Sequence, residues 1–392
     1  MRLNRLRLRH FRTYDTLDLR LSPGVTILHG WNATGKSNIL EAIFALATTR
    51  SFRARTDRDL IAWEGAEEGV PRHTRVAGDA EARNGPVRLS LMISEVPRGA
   101  DGAMARKQFR INGKAVRASE VVGAIKAVLF SPDDTALITA SPSVRRRFMD
   151  LMLCQIDHRY LRLLQEYSRV VTQRNSLLQQ LRGRPDPSSL LSFWDERLIG
   201  IGVDIMIARK DMLRLLSAFA AEAYTDLAGI DERLQVVYRP SLEGAAEAQH
   251  VELSGLFAER LGQLQSKEIY QGVTLAGPHR DDLQMLIDGA DAQYFASRGQ
   301  QRSIALALRL AELHYMTNRT GEQPILLLDE ALAELDDDRQ RLLLRLAEQH
   351  PQVLITTSHL AGFPSDFRDR ARLIEVQYGR AIPELPEQRR AV

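Results

Sequence analysis

The sequence predicts an α/β fold: a P-loop head with an antiparallel β-region and an inserted helical-hairpin arm. Three observations predict it. The stretch Gly30-Trp31-Asn32-Ala33-Thr34-Gly35-Lys36-Ser37 lies between an apolar, β-branched run, Val25 to Leu28, and a helical pattern, Asn38 to Ile43. That order of strand, glycine-bounded loop and helix is the context a phosphate-binding loop requires. Pro324-Ile325-Leu326-Leu327-Leu328-Asp329-Glu330 reads as a buried strand ending in two acids. Between these two segments, apolar residues keep a 4-3 alternation over a long span, which is the pattern of paired helices.

In a P-loop, the backbone N–H groups and the N-terminus of the following helix face a polyphosphate. Lys36 would bring a point charge to the β- and γ-phosphates, and the Ser37 hydroxyl would ligate Mg²⁺. An apolar strand ending in Asp supplies the other half of such a site. Asp329 would hold the metal through water, and Glu330 could polarise the attacking water as general base.

The chain has 392 residues, enough for one large or two domains. A hydrophobic content of 44% and a charged content of 26% are ordinary for a folded soluble protein. A net charge of +3 predicts no partner by itself, so any nucleic-acid contact must come from a local patch. With Cys154 alone, no intramolecular disulfide can form, and its apolar neighbours suggest a buried thiol. The N-terminus lacks the apolar core of a signal peptide, and no run of 18 apolar residues is present. A cytoplasmic protein without a membrane span is expected.

Taken in order, residues 1–28 alternate and read as strands entering the P-loop. His10-Phe11-Arg12-Thr13-Tyr14 is either a packed turn or a way to place Arg12 near the nucleotide. Arg50-Ser51-Phe52-Arg53-Ala54-Arg55 is a solvated loop or a contact to a phosphate backbone, with the loop slightly favoured; Arg50 and Arg53 are the DNA candidates. Short alternating segments follow to residue 118, with Asn112-Gly113 as a hairpin turn and residues 97–102 as an exposed loop. Ser141-Pro142 offers an N-cap and a first-turn proline. Arg145, Arg146 and Arg147 then sit in the first turns, where cations oppose the helix dipole. They should meet an anion, and protein carboxylates and DNA phosphate are equally good partners.

The 4-3 alternation runs from Met149 to Leu181, broken only at Arg174. It stops at Arg182-Gly183-Arg184-Pro185-Asp186-Pro187-Ser188-Ser189, then resumes from Leu191 to Phe219. Two helices of roughly 40 residues, each about 60 Å long, would form an antiparallel protruding arm. Residues 240–265 read as loop and short helix. Gly277-Pro278-His279-Arg280-Asp281-Asp282 returns the chain to β-structure with no assigned role, and Asp288-Gly289 reads as a hairpin turn. The resulting division is a discontinuous head, 1–144 plus 262–392, and an arm, 145–261. The tail after Ala381 is expected to fray.

Several of these pieces resemble a known family. Ser297-Arg298-Gly299-Gln300-Gln301 resembles the signature loop of ABC-type ATPases, Ala333-Glu334-Leu335-Asp336 their D-loop and His359 their switch histidine; a head split by a helical hairpin resembles the SMC-like branch. The wording of the chain resembles the bacterial RecF recombination mediators. It does so at Phe11–Tyr14, Gly30–Ser37, Arg50–Arg53, Phe130–Asp134, Ser141–Asp150, Gly277–Asp282, the signature loop and Leu328–Asp336. The resemblance implies an ABC/SMC-like ATPase of recombinational gap repair that binds single-stranded, duplex or gapped DNA. It also implies work with RecO and RecR in replication-fork recovery and SOS induction. Its ATP-dependent homodimer would place Ser297 and Gly299 of one head, with Gln300 and Asp336 nearby, against the γ-phosphate held by Lys36 of the other. Slow hydrolysis would time the opening of that dimer. Ala33 departs from the glycine often found there, Ala140 from a glycine before Ser-Pro, and Asp329-Glu330 from an Asp-Asp pair.

Three other functions fit parts of this pattern. A transporter ATPase subunit is opposed by the long insertion between P-loop and signature loop. A small-molecule P-loop kinase would need no signature loop. An SMC-like ATPase of another DNA pathway shares the architecture.

Overall fold

A computed structural model describes residues 1–62, 71–97, 103–182, 188–228, 232–333 and 335–383. The chain runs β1 (Arg2–Phe11), β2 (Tyr14–Arg20), β3 (Gly24–His29), α1 (Lys36–Thr48), β4 (His73–Ala82), β5 (Gly85–Pro97), β6 (Ala103–Ile111) and β7 (Lys114–Val116). It continues with α2 (Ala118–Val121), β8 (Ala127–Phe130), α3 (Ala136–Thr139), α4 (Pro142–Ile156), α5 (His158–Gln180), α6 (Ser188–Ala228), β9 (Leu234–Arg239) and α7 (His250–Gln271). Then come β10 (Asp282–Ile287), β11 (Ala290–Asp291), α8 (Ala292–Phe295), α9 (Arg298–Thr320), β12 (Ile325–Asp329), α10 (Asp337–Gln349), β13 (Gln352–Thr357), α11 (Ser365–Arg370), β14 (Arg372–Gln377) and β15 (Arg380–Pro383). The expected loop at 98–102, the turn at 183–187, Glu334 and the tail from 384 lie outside the described residues.

The chain divides into two compact units, residues 1–134 with 316–392 and residues 135–315. The first unit holds two six-stranded sheets. One is antiparallel, β2-β1-β4-β5-β6-β7; in β1 the buried Leu6 and Leu8 alternate with Arg5, Arg7 and Arg9, and a register shift between Leu3 and Arg5 and a positive φ at His10 break the alternation, with Leu3 and Phe11 also buried. The other sheet, β15-β14-β3-β13-β12-β8, is parallel except at its β15 edge. Its inner strands are continuous apolar runs because both faces are covered, and all five residues of β12 are buried. β3, β12 and β13 run in the same direction, so the P-loop, Asp329-Glu330 and Thr357 leave the sheet at one edge, where open α/β sheets bind ligands. Both Asn-Gly and Asp-Gly turns form as expected. Asn112 and Gly113 have φ of 51° and 83°, and Asp288 and Gly289 have 49° and 82°.

The second unit differs from its sequence reading in three ways. The first long helix is two: Asp157 stops α4 and caps α5 by accepting from Arg159 N. The region read as loop and short helix is α7, 22 residues long, which packs on α5 and α6. α5, α6 and α7 therefore pack together as three helices, and α6 also packs along β9. Arg174, the residue that broke the alternation, is fully buried. It pairs with Asp195 and Glu268 at 2.7 Å each and bonds Thr274 at 3.0 Å, an ionic node where the pattern called for an apolar knob. Cys154 is buried, as its neighbours suggested.

Candidate nucleotide site

Two glycines bound the loop for steric reasons. A Cβ on Gly30 would lie 2.4 Å from the carbonyl oxygen of Val376, and one on Gly35 would lie 2.7 Å from Thr13 Oγ1; their φ values are 144° and 109°. Ala33 holds φ 65°, so the position does take the left-handed backbone in which alanine is strained by about 1–2 kcal/mol. Thr34 Oγ1 closes the loop on Trp31 O at 2.9 Å, and the Trp31 ring stands out at 82% exposure.

Lys36 opens α1. Its Nζ donates to Gly30 O at 2.9 Å and Trp31 O at 3.0 Å, and it stands 3.5 Å from Glu330 Oε1. The ammonium is thus aimed across the mouth of its own loop. Beside it lies a cavity of ≈ 680 Å³, of the size of a nucleotide-class ligand site, lined by Asn32, Ala33, Gly35, Lys36, Ser37, Asn38 and Glu330. Gly30, Trp31 and Thr34 shape the loop but do not line this space.

Thr356 of β13, which the sequence reading missed, organises the acids. Its hydroxyl donates to Asp329 Oδ1 at 2.8 Å and accepts from Glu330 N at 2.9 Å. Asp329 is buried, and Glu330 takes φ 51°, which turns its carboxylate out of the strand direction into the cavity. Such a left-handed non-glycine residue stores strain of the kind found at functional sites.

Two arginines reach the same cavity. Arg12, at φ 54°, forks onto Glu41 of α1 at 2.9 and 2.7 Å. Glu41 is fully buried and also accepts from Ser51 Oγ, which itself accepts from Arg53 N at 2.9 Å and Ala54 N at 2.7 Å. One carboxylate therefore fixes both chain segments, and Arg12 and Arg53 both line the pocket. Arg53, read from the sequence as part of a solvated loop or as a DNA contact, lies on the border of this cavity. Arg50 is exposed and does not line it.

Ser37 and Asp329 fit a hard divalent cation, which keeps several waters and takes one or two protein oxygens plus substrate phosphates. Among the described residues no group of three or more His, Cys, Asp or Glu is placed to hold a metal ion. His359 follows β13 but is exposed, and Ser358 lines the cavity in its place. Asp336 caps α10 by accepting from Arg339 N at 3.0 Å.

In the second unit, Ser297 and Gln300 form a reciprocal cap at the start of α9. Ser297 N donates to Gln300 Oε1 at 2.8 Å, and Gln300 N donates to Ser297 Oγ at 3.2 Å. Gln300 also donates to Glu232 at 2.8 Å. Ser297, Arg298 and Gly299 are left exposed on a helix N-terminus.

The arginine triplet does not act as one cluster. Arg145 is buried and forks onto Asp282 at 2.7 and 2.9 Å, so it is not a DNA contact. Arg146 donates to Asp281 O at 2.7 Å, and burial holds its pKa below the usual guanidinium value. Arg147 is exposed. The Gly277–Asp282 stretch supplies the receiving side. Asp281 is fully buried; it accepts from Tyr238 and from Ser241 N at 2.8 Å, with Arg209 at 3.4 Å, and burial raises its pKa.

The parallel sheet, the loop with its two bounding glycines and the strand-end acids define an ABC/SMC-like P-loop ATPase head. The family model described as RecF/RecN/SMC N terminal domain matches residues 2–377. The DNA replication and repair protein RecF of Chloroflexus aurantiacus is 40% identical over 97% of this chain and 100% of its own length, and that of Symbiobacterium thermophilum is 41% identical over 94% and 96%. A solved RecF–ATP structure superposes with a TM-score of 0.87 at 28% identity, covering 98% of this chain and 97% of that one. An Smc head from Pyrococcus furiosus, at TM-score 0.52 and 17% identity, shares the fold. The chain belongs to the RecF family.

Proposed function

We propose that this protein is an ATP-dependent, DNA-binding mediator of recombinational gap repair in the cytoplasm. It dimerises on ATP at single-strand/duplex gaps and acts with RecO and RecR to support fork recovery and SOS induction. The observation that carries the reading is the convergence of Lys36, Ser37 and Glu330 on one cavity at the sheet edge, with Asp329 held by Thr356 at the strand end just before Glu330. Lys36, Arg12 and Arg53 bind and neutralise the phosphate tail. Ser37 and Asp329 hold Mg²⁺, which supplies further charge neutralisation when bound. Glu330 orients water and accepts its proton. Ser297 and Gly299, exposed at the start of α9, complete the site from a second copy; Gln300 and Asp336 are nucleotide contacts, and His359 acts as the switch histidine. The head is 1–144 plus 262–392, and the helical region 145–261 is its insertion. Slow, DNA-stimulated hydrolysis opens the dimer.

The solution mass of Glu330→Gln with Mg-ATP, with and without gapped duplex, tests this. A dimer with ATP that DNA further stabilises supports the reading. A monomer under every condition overturns the clamp.

A further inference from the structure

The outer face of the antiparallel sheet carries charge that the fold leaves unbalanced. β1 and β4 pair in a register that sets Arg9 directly opposite Arg75 and Arg7 opposite Ala77; β4 and β5 set Ala77 opposite Ser90; β5 and β6 set Ser90 opposite Arg110. Directly opposed side chains have Cβ atoms about 4.5–5.5 Å apart, and like charges there destabilise a sheet. The carboxylates on this face are already engaged. Asp79 takes Arg7 at 2.8 Å and Arg88 at 2.7 Å, and Glu81 takes Arg2 at 3.2 Å. Among the described residues Arg9 and Arg75 have no side-chain partner, and Arg110 reaches only Gly113 O at 3.4 Å. These arginines line a trough of ≈ 950 Å³.

We propose that this trough docks the phosphate backbone of duplex DNA, a location that rests on the DNA-binding reading above. The complement of such a face is a regularly spaced polyanion. Alternate residues of one strand stand about 6.6–6.8 Å apart and neighbouring strands about 4.8 Å apart, so the guanidinium groups form a grid that can follow a line of phosphates. Arginine suits this because its planar fork takes two phosphate oxygens at once. Among the described residues that line the trough none is aromatic, so they offer no platform on which the bases of a single strand could stack. Its contacts are to backbone and are independent of sequence. The opposed Arg9–Arg75 pair is a repulsion in the free protein that a bound phosphate relieves.

The test uses the full chain and blunt duplex DNA, with ATP and across a salt series. Arg9→Gln with Arg75→Gln is expected to lower duplex affinity at least tenfold. It should also reduce the slope of log K against log salt by about 1.8, two contacts at about 0.9 each. ATP binding should not change, and the thermal midpoint should hold or rise, because a like-charge pair has been removed. Wild-type protein that binds duplex with the double variant indistinguishable from it overturns this surface and leaves the function standing. Wild-type protein that binds no DNA in any nucleotide state overturns the function and this surface together. A variant that loses single-strand binding but keeps its duplex slope overturns the duplex assignment. A variant that loses only an acidic polypeptide assigns the face to a protein partner and overturns it as well.

Discussion

Lys36 Nζ stands 3.5 Å from Glu330 Oε1, so the P-loop cation and the candidate general base form one ion pair across the cavity. The pair predicts a separation of effects. Glu330→Gln keeps the shape and removes only the proton acceptor, so hydrolysis should fall roughly 10²- to 10⁴-fold while ATP affinity stays near wild type. Lys36→Ala removes the charge that meets the phosphates, so affinity and ATP-dependent dimerisation should both be lost. Equilibrium nucleotide binding and single-turnover hydrolysis on the two variants check this. Equal loss of affinity in both would mean that Glu330 acts through the loop and not on water.

Ala33 and Gly35 should respond in opposite directions to exchanging glycine and alanine. At φ 65° Ala33 carries left-handed strain of about 1–2 kcal/mol, whereas glycine adds about 0.4–1 kcal/mol of unfolded-chain entropy. Ala33→Gly should therefore stabilise by between about 0 and 1.6 kcal/mol, read as a raised denaturant midpoint at constant slope. Gly35→Ala drives a Cβ to 2.7 Å from Thr13 Oγ1 and 3.0 Å from Tyr14 Oη, so it should destabilise and weaken nucleotide binding. A stabilised Gly35→Ala would contradict the steric account.

The P-loop, the strand ending in Asp329-Glu330 and both hairpin turns were legible because each is a local signal: a turn type, a glycine with positive φ, an apolar run. What was not legible depends on distant residues or on helix phase. Helix α7 buries only Leu253, Phe257 and Leu261 along an i, i+4 stripe, with Glu268 continuing it as the buried partner of Arg174; Gly255 and Gly262 further lower its apparent propensity. Arg12 and Arg53 meet at the cavity only because Glu41, a polar residue in an apolar helical pattern, receives both segments. The triplet at 145–147 looks like one patch in sequence. Successive helical residues turn by about 100°, so one member is buried, one half-buried and one exposed.

That difference in phase decides how the triplet responds to charge reversal. Arg145→Glu places a second carboxylate against Asp282 inside the fold. It should cost roughly 3–5 kcal/mol, as breaking a buried pair does. Arg147→Glu lies on the surface and should change stability by no more than about 0.5 kcal/mol. A reversal of all three residues would therefore report unfolding and not DNA affinity. Arg147→Glu alone is the informative variant: if Arg147 meets a phosphate, the salt slope of DNA binding should fall by about 0.9. Urea denaturation of the single variants checks the ranking, and an Arg145→Glu protein as stable as wild type would remove the buried-pair assignment.

His279 gives the second unit an acid-side dependence. Its Nε2 faces Thr274 O at 3.1 Å, and a carbonyl can only accept, so Nε2 carries the proton and Nδ1 accepts from Tyr167 Oη at 2.8 Å. This neutral form is favoured by burial, with Arg280, Arg146 and Arg174 adding to it, and the pKa falls from 6.5 to about 4. The unfolded chain therefore binds the extra proton between those two values, and stability must rise with pH across that window. The contribution is complete above pH 6.5 and is lost as pH falls toward 4, by at most about 3 kcal/mol. Carboxylates elsewhere also respond to acid, so the comparison is with His279→Gln, which cannot titrate. The stability advantage of wild type over the variant should be largest at pH 7 and shrink steadily to pH 4.5. A constant advantage across that range would mean that His279 has the same pKa folded and unfolded, and an advantage that grows toward pH 4.5 would mean that it is protonated in the fold; either outcome would require the Thr274–His279–Tyr167 chain to be reassigned.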